Sequence, residues 1–404
     1  MANSQIKSPD WILLVGQLLA QLSDKMLSIG LIWIIAKNFG DTWVTWYLVV
    51  GGIPHLIFFS LNAKLIQKIG ALKVVIATDW IRAIIYFVAS LLISNVEHKS
   101  ELVQVMSLIF ASNAMAAFFN PAIFSLPIEI ATGLSVQKLT ARLSAITSIT
   151  TVLGPISGIF CFQSFGLHGL FIFAATFYLL SGICGWILKA NLSSQALVDH
   201  NLSTPESEHH DSMMPLKISP LITSMLLVFL FMNLLTSPLQ ILMPSMARLQ
   251  FSGSFNSLAA MESGLGIGIT IGGLALSFYT IKSKNLLFTW LFLVGVSLSF
   301  FAFQFSPNLF FAAGFLALLG IFVGLGNILI LNIFQSQPRP ETVPKIMSYV
   351  NLISSAAVPL SLIMAGFLQT KFSINQIGVA CAILLLIVCI SSWVPFRHWG
   401  KEFM

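Results

Sequence analysis

Twelve stretches of about twenty mostly apolar residues follow one another along this chain, each the length an α-helix needs to cross the hydrocarbon of a bilayer. They cover 11–36, 43–66, 74–94, 102–126, 138–163, 167–189, 219–246, 256–280, 285–304, 308–334, 344–370 and 373–396, separated by short charged or turn-rich breaks. Strands of a membrane barrel are shorter and alternate with period two, so the expected fold class is an all-α membrane protein of twelve transmembrane helices. Composition excludes a soluble fold: only 8% of the 404 residues are charged and 57% are hydrophobic, too little charge to cover a water-facing surface of this size. The first stretch starts at Trp11, is too long for a signal-peptide core and has no small-residue cleavage site after it, so it is expected to stay. All four cysteines (Cys161, Cys184, Cys381, Cys389) lie inside apolar runs, where a thiol behaves as a small hydrophobe.

Lys and Arg set the expected orientation. With an even number of spans both termini share a side, and that side collects 14 of these residues against 4 on the other, which puts both termini in the cytoplasm. The net charge of +6 is then a matter of topology, with no nucleic acid implied. One long hydrophilic stretch, about 190–218, divides the chain into expected six-helix bundles over 1–189 and 219–404. A weak repeat relates the two: Ser144 and Pro155 match Ser348 and Pro359 at an offset of 204 residues. Two such bundles with a site at their midplane interface form the general plan of many secondary transporters. His200, His209 and His210, with acids beside them, read as part of a solvated linker of low-order composition, with no metal site expected.

Ionisable side chains deep in a span are costly and mark cavities or partners. Three stand out: Asp24 and Lys25 midway along the first span, and Glu262 about two turns into the eighth. Gln17, Gln21, Asp24 and Ser28 recur at helical spacing along one face, and Asn233, Thr236, Ser237 and Gln240 repeat the device on the seventh span, which Pro238 and Pro244 are expected to break. The matched stripes predict one cavity lined from both bundles, although such residues also serve helix–helix hydrogen bonds. Proton coupling needs a carboxyl that alternates between dry and wet surroundings, which makes Asp24 and Glu262 the candidates. Gly264, Gly266, Gly268, Gly272 and Gly273 lie inside a membrane helix, so they read as close-packing positions rather than a nucleotide loop, like Gly154 and Gly158 on the fifth span. No Walker loop, catalytic triad or metalloprotease motif is present; neither an enzyme nor a cofactor is expected.

Several stretches resemble a major facilitator superfamily permease, most closely its third drug:proton antiporter family, which includes macrolide efflux permeases and siderophore exporters. They are Asp79-Trp-Ile-Arg82-Ala, Phe118-Phe-Asn-Pro121-Ala leading to Pro127, Leu153-Gly154-Pro155 with Gly158, and residues 339–366. The resemblance implies the major facilitator fold and a multi-pass protein of the plasma (inner) membrane that exchanges protons for an amphiphilic, drug-like or siderophore-like molecule, with membrane lipid around it. One departure falls in the loop between spans two and three, where Gln67 stands in place of the family's gate-latching acid. Asp79 is the nearest replacement, paired at i,i+3 with Arg82, and the same pair also reads as a neutralised structural contact at the end of span three. A lysophospholipid transporter of the same superfamily, a metal exporter using Asp24, and a transport-inactive receptor-like homologue stand as alternatives.

Overall fold

A computed structural model describes residues 10–130, 134–196, 219–251, 253–278, 286–335 and 342–394. Among them are thirteen helices and no strand: α1 Asp10–Phe39, α2 Asp41–Ile57, α3 Phe59–Ile69, α4 Ala71–Leu92, α5 Lys99–Ile130, α6 Leu134–Ala196, α7 Pro220–Thr236, α8 Leu239–Leu249, α9 Phe255–Phe278, α10 Leu286–Gln304, α11 Leu309–Gln335, α12 Thr342–Leu368 and α13 Ile374–Ser391. Every apolar stretch foreseen from the sequence falls on one of these helices or on a consecutive pair. Among the described residues nine stretches are long and apolar enough to cross a membrane, with the 51-residue run Arg142–Leu192 taken as one. Gly166 breaks that run: its φ of 65° is left-handed backbone that a side chain would strain, and it falls at the expected boundary between the fifth and sixth spans.

Two expected spans are divided. The second becomes α2 and α3, parted at Phe58 one turn after Pro54, and Asn62, Lys64, Gln67 and Lys68 make α3 more polar than a spanning helix. The seventh becomes α7 and α8, parted at Ser237 and Pro238. Pro244 does not break the span a second time; α8 runs through it, at the cost of the donor that the Gln240 carbonyl would otherwise receive. The hydrophilic stretch beyond Ala196, with its three histidines, lies outside the described residues up to 218.

Small residues set the closest helix approaches. An ideal Cβ on Gly154 would lie 2.3 Å from the Lys25 Cβ, and one on Gly158 would lie 3.2 Å from the Met26 Cα, so α6 packs along α1 with backbones nearly touching. On α9, Gly264, Gly268 and Gly272 face the carbonyls of Ala313, Ala317 and Ile321 on α11, which returns Gly320 and Gly324 against Leu265 and Ile269. Gly266 turns the other way, to the Thr151 carbonyl of α6. Where lipid tails are as apolar as leucine, such van der Waals contact holds helices together.

This packing carries a prediction. A Cβ on Gly268 would sit 2.0 Å from the Ala317 carbonyl oxygen, a backbone atom that cannot rotate away, whereas one on Gly273 meets nothing nearer than 3.9 Å. Gly268→Val is expected to destabilise the detergent-solubilised protein by about 3 kcal/mol, the upper range for overpacking, and Gly273→Ala to leave the melting temperature unchanged. Equal melting of the two variants would show that the α9–α11 contact is slack.

Candidate functional site

Three helices meet at Asp24. Arg82 on α4 reaches α1 and places Nη1 3.4 Å from Asp24 Oδ2, while the Tyr178 hydroxyl on α6 donates to Asp24 Oδ1. The Arg82 side chain is 0% exposed and that of Asp24 44%, so the ion pair has a dry side and a wet side. The guanidinium lies 4.4 Å from the centroid of Phe119 and 5.0 Å from that of Tyr178. Its Nε and Nη2 have no hydrogen-bond partner, so the two rings beside the guanidinium supply part of its stabilisation. Asp79, one turn before Arg82 and fully buried, accepts a 2.6 Å bond from the Ser181 hydroxyl. The contact expected between Asp79 and Arg82 is therefore not the one made. Tyr178 and Ser181, at i and i+3 on α6, serve one carboxylate each, and Arg82 turns to α1.

Two cavities adjoin this centre. One, of about 300 Å³, is lined by Asp24, Tyr47, His55, Tyr86, Asn113 and Asn120 among others. The other, of about 410 Å³, lies between α1 and α6 on one side and α7, α8, α9, α11 and α12 on the other. Lys25 and Ser28 line both, so the two cavities are neighbours. The second cavity takes in Asn233, Thr236, Ser237, Gln240, Glu262 and Pro155, which brings the stripe of the seventh span and the acid of the eighth to one place. Apart from Thr151 its other walls are apolar, with Ile29, Ile32, Met243, Leu265 and Val358 among them.

The first-span stripe divides. Gln17 is buried against neighbouring helices and lines neither cavity, which corrects the expectation for it: its stretch of α1 packs on α6 beside Ser181 and Cys184, where Gly16 makes the closest approach. Gln21 also lines neither cavity; it accepts a 3.1 Å bond from Thr150 on α6, the helix–helix role that the periodicity left open. Gln67 falls on α3, and its side chain lies outside the described residues. Gly154 and Gly158 occupy the α1–α6 contact.

Beyond the cavity, at the end where α1 gives way to α2, the helices before residue 197 are tied to those after 218. Arg248 Nη2 lies 2.9 Å from Asp41 Oδ1, and the Ser245 hydroxyl donates to Asp41 Oδ2 at 2.8 Å. Thr45 bonds Gln369, Gln163 bonds Asn256, and Trp33 stacks on Phe255 with centroids 5.6 Å apart. Gly40, with φ at 86°, makes the turn that brings Asp41 to this contact.

Sequence reasoning missed Tyr178 and His55. A usable signal existed for the first: tyrosines are few here and fall in apolar runs, three of the five, Tyr47, Tyr86 and Tyr178, are buried in the fold, and a buried phenol needs a partner. Tyr86 meets that need by donating to Ser112 at 2.7 Å, stacked 5.7 Å from the Tyr178 ring.

Known proteins resemble this chain in sequence and in fold. The family model of the Major Facilitator Superfamily matches residues 13–361. Macrolide efflux protein A of Streptococcus pyogenes is 21% identical over 388 residues, covering 94% of this chain and 93% of that protein. A protein of Bacillus subtilis (strain 168) named as a putative bacilysin exporter, BacE, is 22% identical over 391 residues, covering 95% of this chain and 93% of its own. Among solved structures, a bacterial homologue of the human lysosomal transporter Spinster, in an inward-facing and occupied conformation, superimposes with a TM-score of 0.69 over 97% of both chains at 13% identity, a likeness of fold.

Proposed function

Because the chain belongs to the Major Facilitator Superfamily, we propose that it exports an amphiphilic organic molecule, drug-like or siderophore-like, in exchange for protons. As a multi-pass transporter of that superfamily it is not an enzyme. In this reading twelve spans form two bundles, residues 1–189 and 219–404, joined by a cytoplasmic linker over 190–218, with both termini in the cytoplasm of a cell bounded by its plasma (inner) membrane. The Asp41–Arg248 end then faces outward and is shut, and the two cavities, the smaller lined by Asp24, await substrate from within.

The observation that carries the proposal is the two-sided environment of Asp24. From behind, Arg82 and Tyr178 hold the ionised carboxylate; in front, 44% of its side chain is open to the cavity. Protonation removes the charge that fixes Arg82 to α1 and so alters the mutual hold of α1, α4 and α6. A proton on Asp24 thereby biases the equilibrium between the two access states, which is what exchange requires. The largely apolar cavity with a few amides suits an amphiphile, and the efflux-named relatives favour outward movement.

Inverted membrane vesicles with an imposed pH gradient provide the test. A panel of labelled macrolides and siderophores should include at least one compound that accumulates while the gradient lasts and leaks back when a protonophore collapses it. Accumulation indifferent to the gradient would refute proton exchange.

The outer contact has a consequence of its own. Arg248→Gln removes one charge-assisted bond made only when the outer face is shut, worth about 1 kcal/mol for a partly exposed pair. The outward-open population should rise about fivefold by the same arithmetic. In a background with all four cysteines replaced by alanine, Ser28→Cys should then react faster with a membrane-impermeant thiol reagent added outside. An unchanged rate would mean that other contacts close that face.

A further inference from the structure

Two charges facing the larger cavity are left without an ion-pair partner. Lys25 enters it from α1 and Glu262 from α9, on opposite sides of the interface. The ion pairs found among the described residues join Asp24 to Arg82 and Asp41 to Arg248, and neither Lys25 nor Glu262 takes part. Asp24 does not serve Lys25: no ion pair joins them, and consecutive residues on a helix point about 100° apart. Glu262 lies within the electrostatic reach of Lys25, yet the two do not meet. The base of Lys25 is also fixed: its Cβ packs on Gly154, so the chain emerges from a set point into the cavity.

A cation and an anion held apart across a mostly apolar chamber are each costly alone. A ligand carrying one charge would satisfy one of them and leave the other desolvated, whereas a ligand carrying both would satisfy the two together and bridge the bundles. We propose that this cavity takes a dipolar ligand, with an anionic group of carboxylate type seated on Lys25 and a protonated amine seated on Glu262. The inference rests on the transport reading and narrows its substrate class.

The full chain, purified in detergent, can be titrated calorimetrically with three probes that differ only in charge: the dipeptide leucyl-phenylalanine, its C-terminal amide and its N-acetyl derivative. At about pH 6.5 the dipeptide amine is protonated and its carboxylate ionised. The dipeptide is expected to bind about tenfold more tightly than either analogue. Lys25→Met should abolish the difference between dipeptide and amide, and Glu262→Gln that between dipeptide and N-acetyl form. Where a single variant fails to fold, the exchange Lys25→Glu with Glu262→Lys keeps one charge of each sign and should retain the dipeptide preference. Equal binding of the three probes to the unmodified protein, binding of none, or a preference that survives both single variants would overturn the proposal. Gradient-driven export of the drug panel beside equal probe binding would remove the dipolar ligand alone and leave the transport reading standing.

Discussion

Asp24→Asn should reduce gradient-driven transport to the level of vesicles lacking the protein, while synthesis, membrane insertion and elution in detergent stay as in the unmodified chain. The amide matches the carboxylate in shape. Rotated so that its oxygen meets Arg82 Nη1, it turns its nitrogen to the Tyr178 hydroxyl, which can accept as well as donate. What it cannot do is bind and release a proton. Substrate should still equilibrate downhill through this variant, because the amide keeps the shape of the smaller cavity's wall and the lining of the larger cavity is unchanged, and the loss should be confined to uphill movement. Uphill transport by Asp24→Asn at the normal rate would place the coupling proton elsewhere, with Glu262, the carboxyl that lines the larger cavity, the next candidate.

Arg82→Gln has the largest expected effect on stability. Arg82 pairs with Asp24, and its charge also reaches the fully buried Asp79, with which it makes no ion pair and whose Oδ1 has no hydrogen-bond partner. Removing it leaves two carboxylates on one side of the bundle without a counter-charge, and breaking such a buried arrangement from one side costs about 3 kcal/mol. The detergent-solubilised variant should melt well below the parent, and adding Asp79→Asn should recover part of the loss. Arg82→Lys is expected to fail nearly as badly, since a compact ammonium cannot lie flat against Phe119 and Tyr178 as the guanidinium does. Melting of Arg82→Gln at the parent temperature would show that the pair contributes little to the fold.

The helical layout was legible because hydrocarbon thickness sets a length and the chain repeats it; even the break at Gly166 fell where two apolar runs meet. The divided second span was less visible: Phe58 is an apolar residue inside an apolar run, and nothing in its type signals an interruption. The site was legible in part for a reason of the same kind. Helical spacing puts Gln17, Gln21, Asp24 and Ser28 on one face, but it cannot say what lies opposite. In the fold Gln17 is buried, Gln21 meets α6, and Asp24 and Ser28 line a cavity. The partner of Arg82 was misjudged because Asp79, three residues away, is visible to local reasoning, whereas Asp24 is 58 residues distant and arrives only through packing. His55 stands in an apolar run with nothing local to show what it faces, and Tyr178, although Ser181 follows it at i+3, meets its carboxylate 154 residues away only through packing.

The central claim, that Asp24 exchanges a proton as the transporter works, is tested most directly by proton release on substrate binding. Purified protein in weakly buffered detergent, at a pH where the free site holds its proton, is mixed with a compound found to be exported, and the pH change is read with an indicator dye. The account predicts release of about one proton per chain from the unmodified protein, the exchange stoichiometry of a single carboxyl, and none from Asp24→Asn at matched site occupancy. Equal release from both proteins would contradict it.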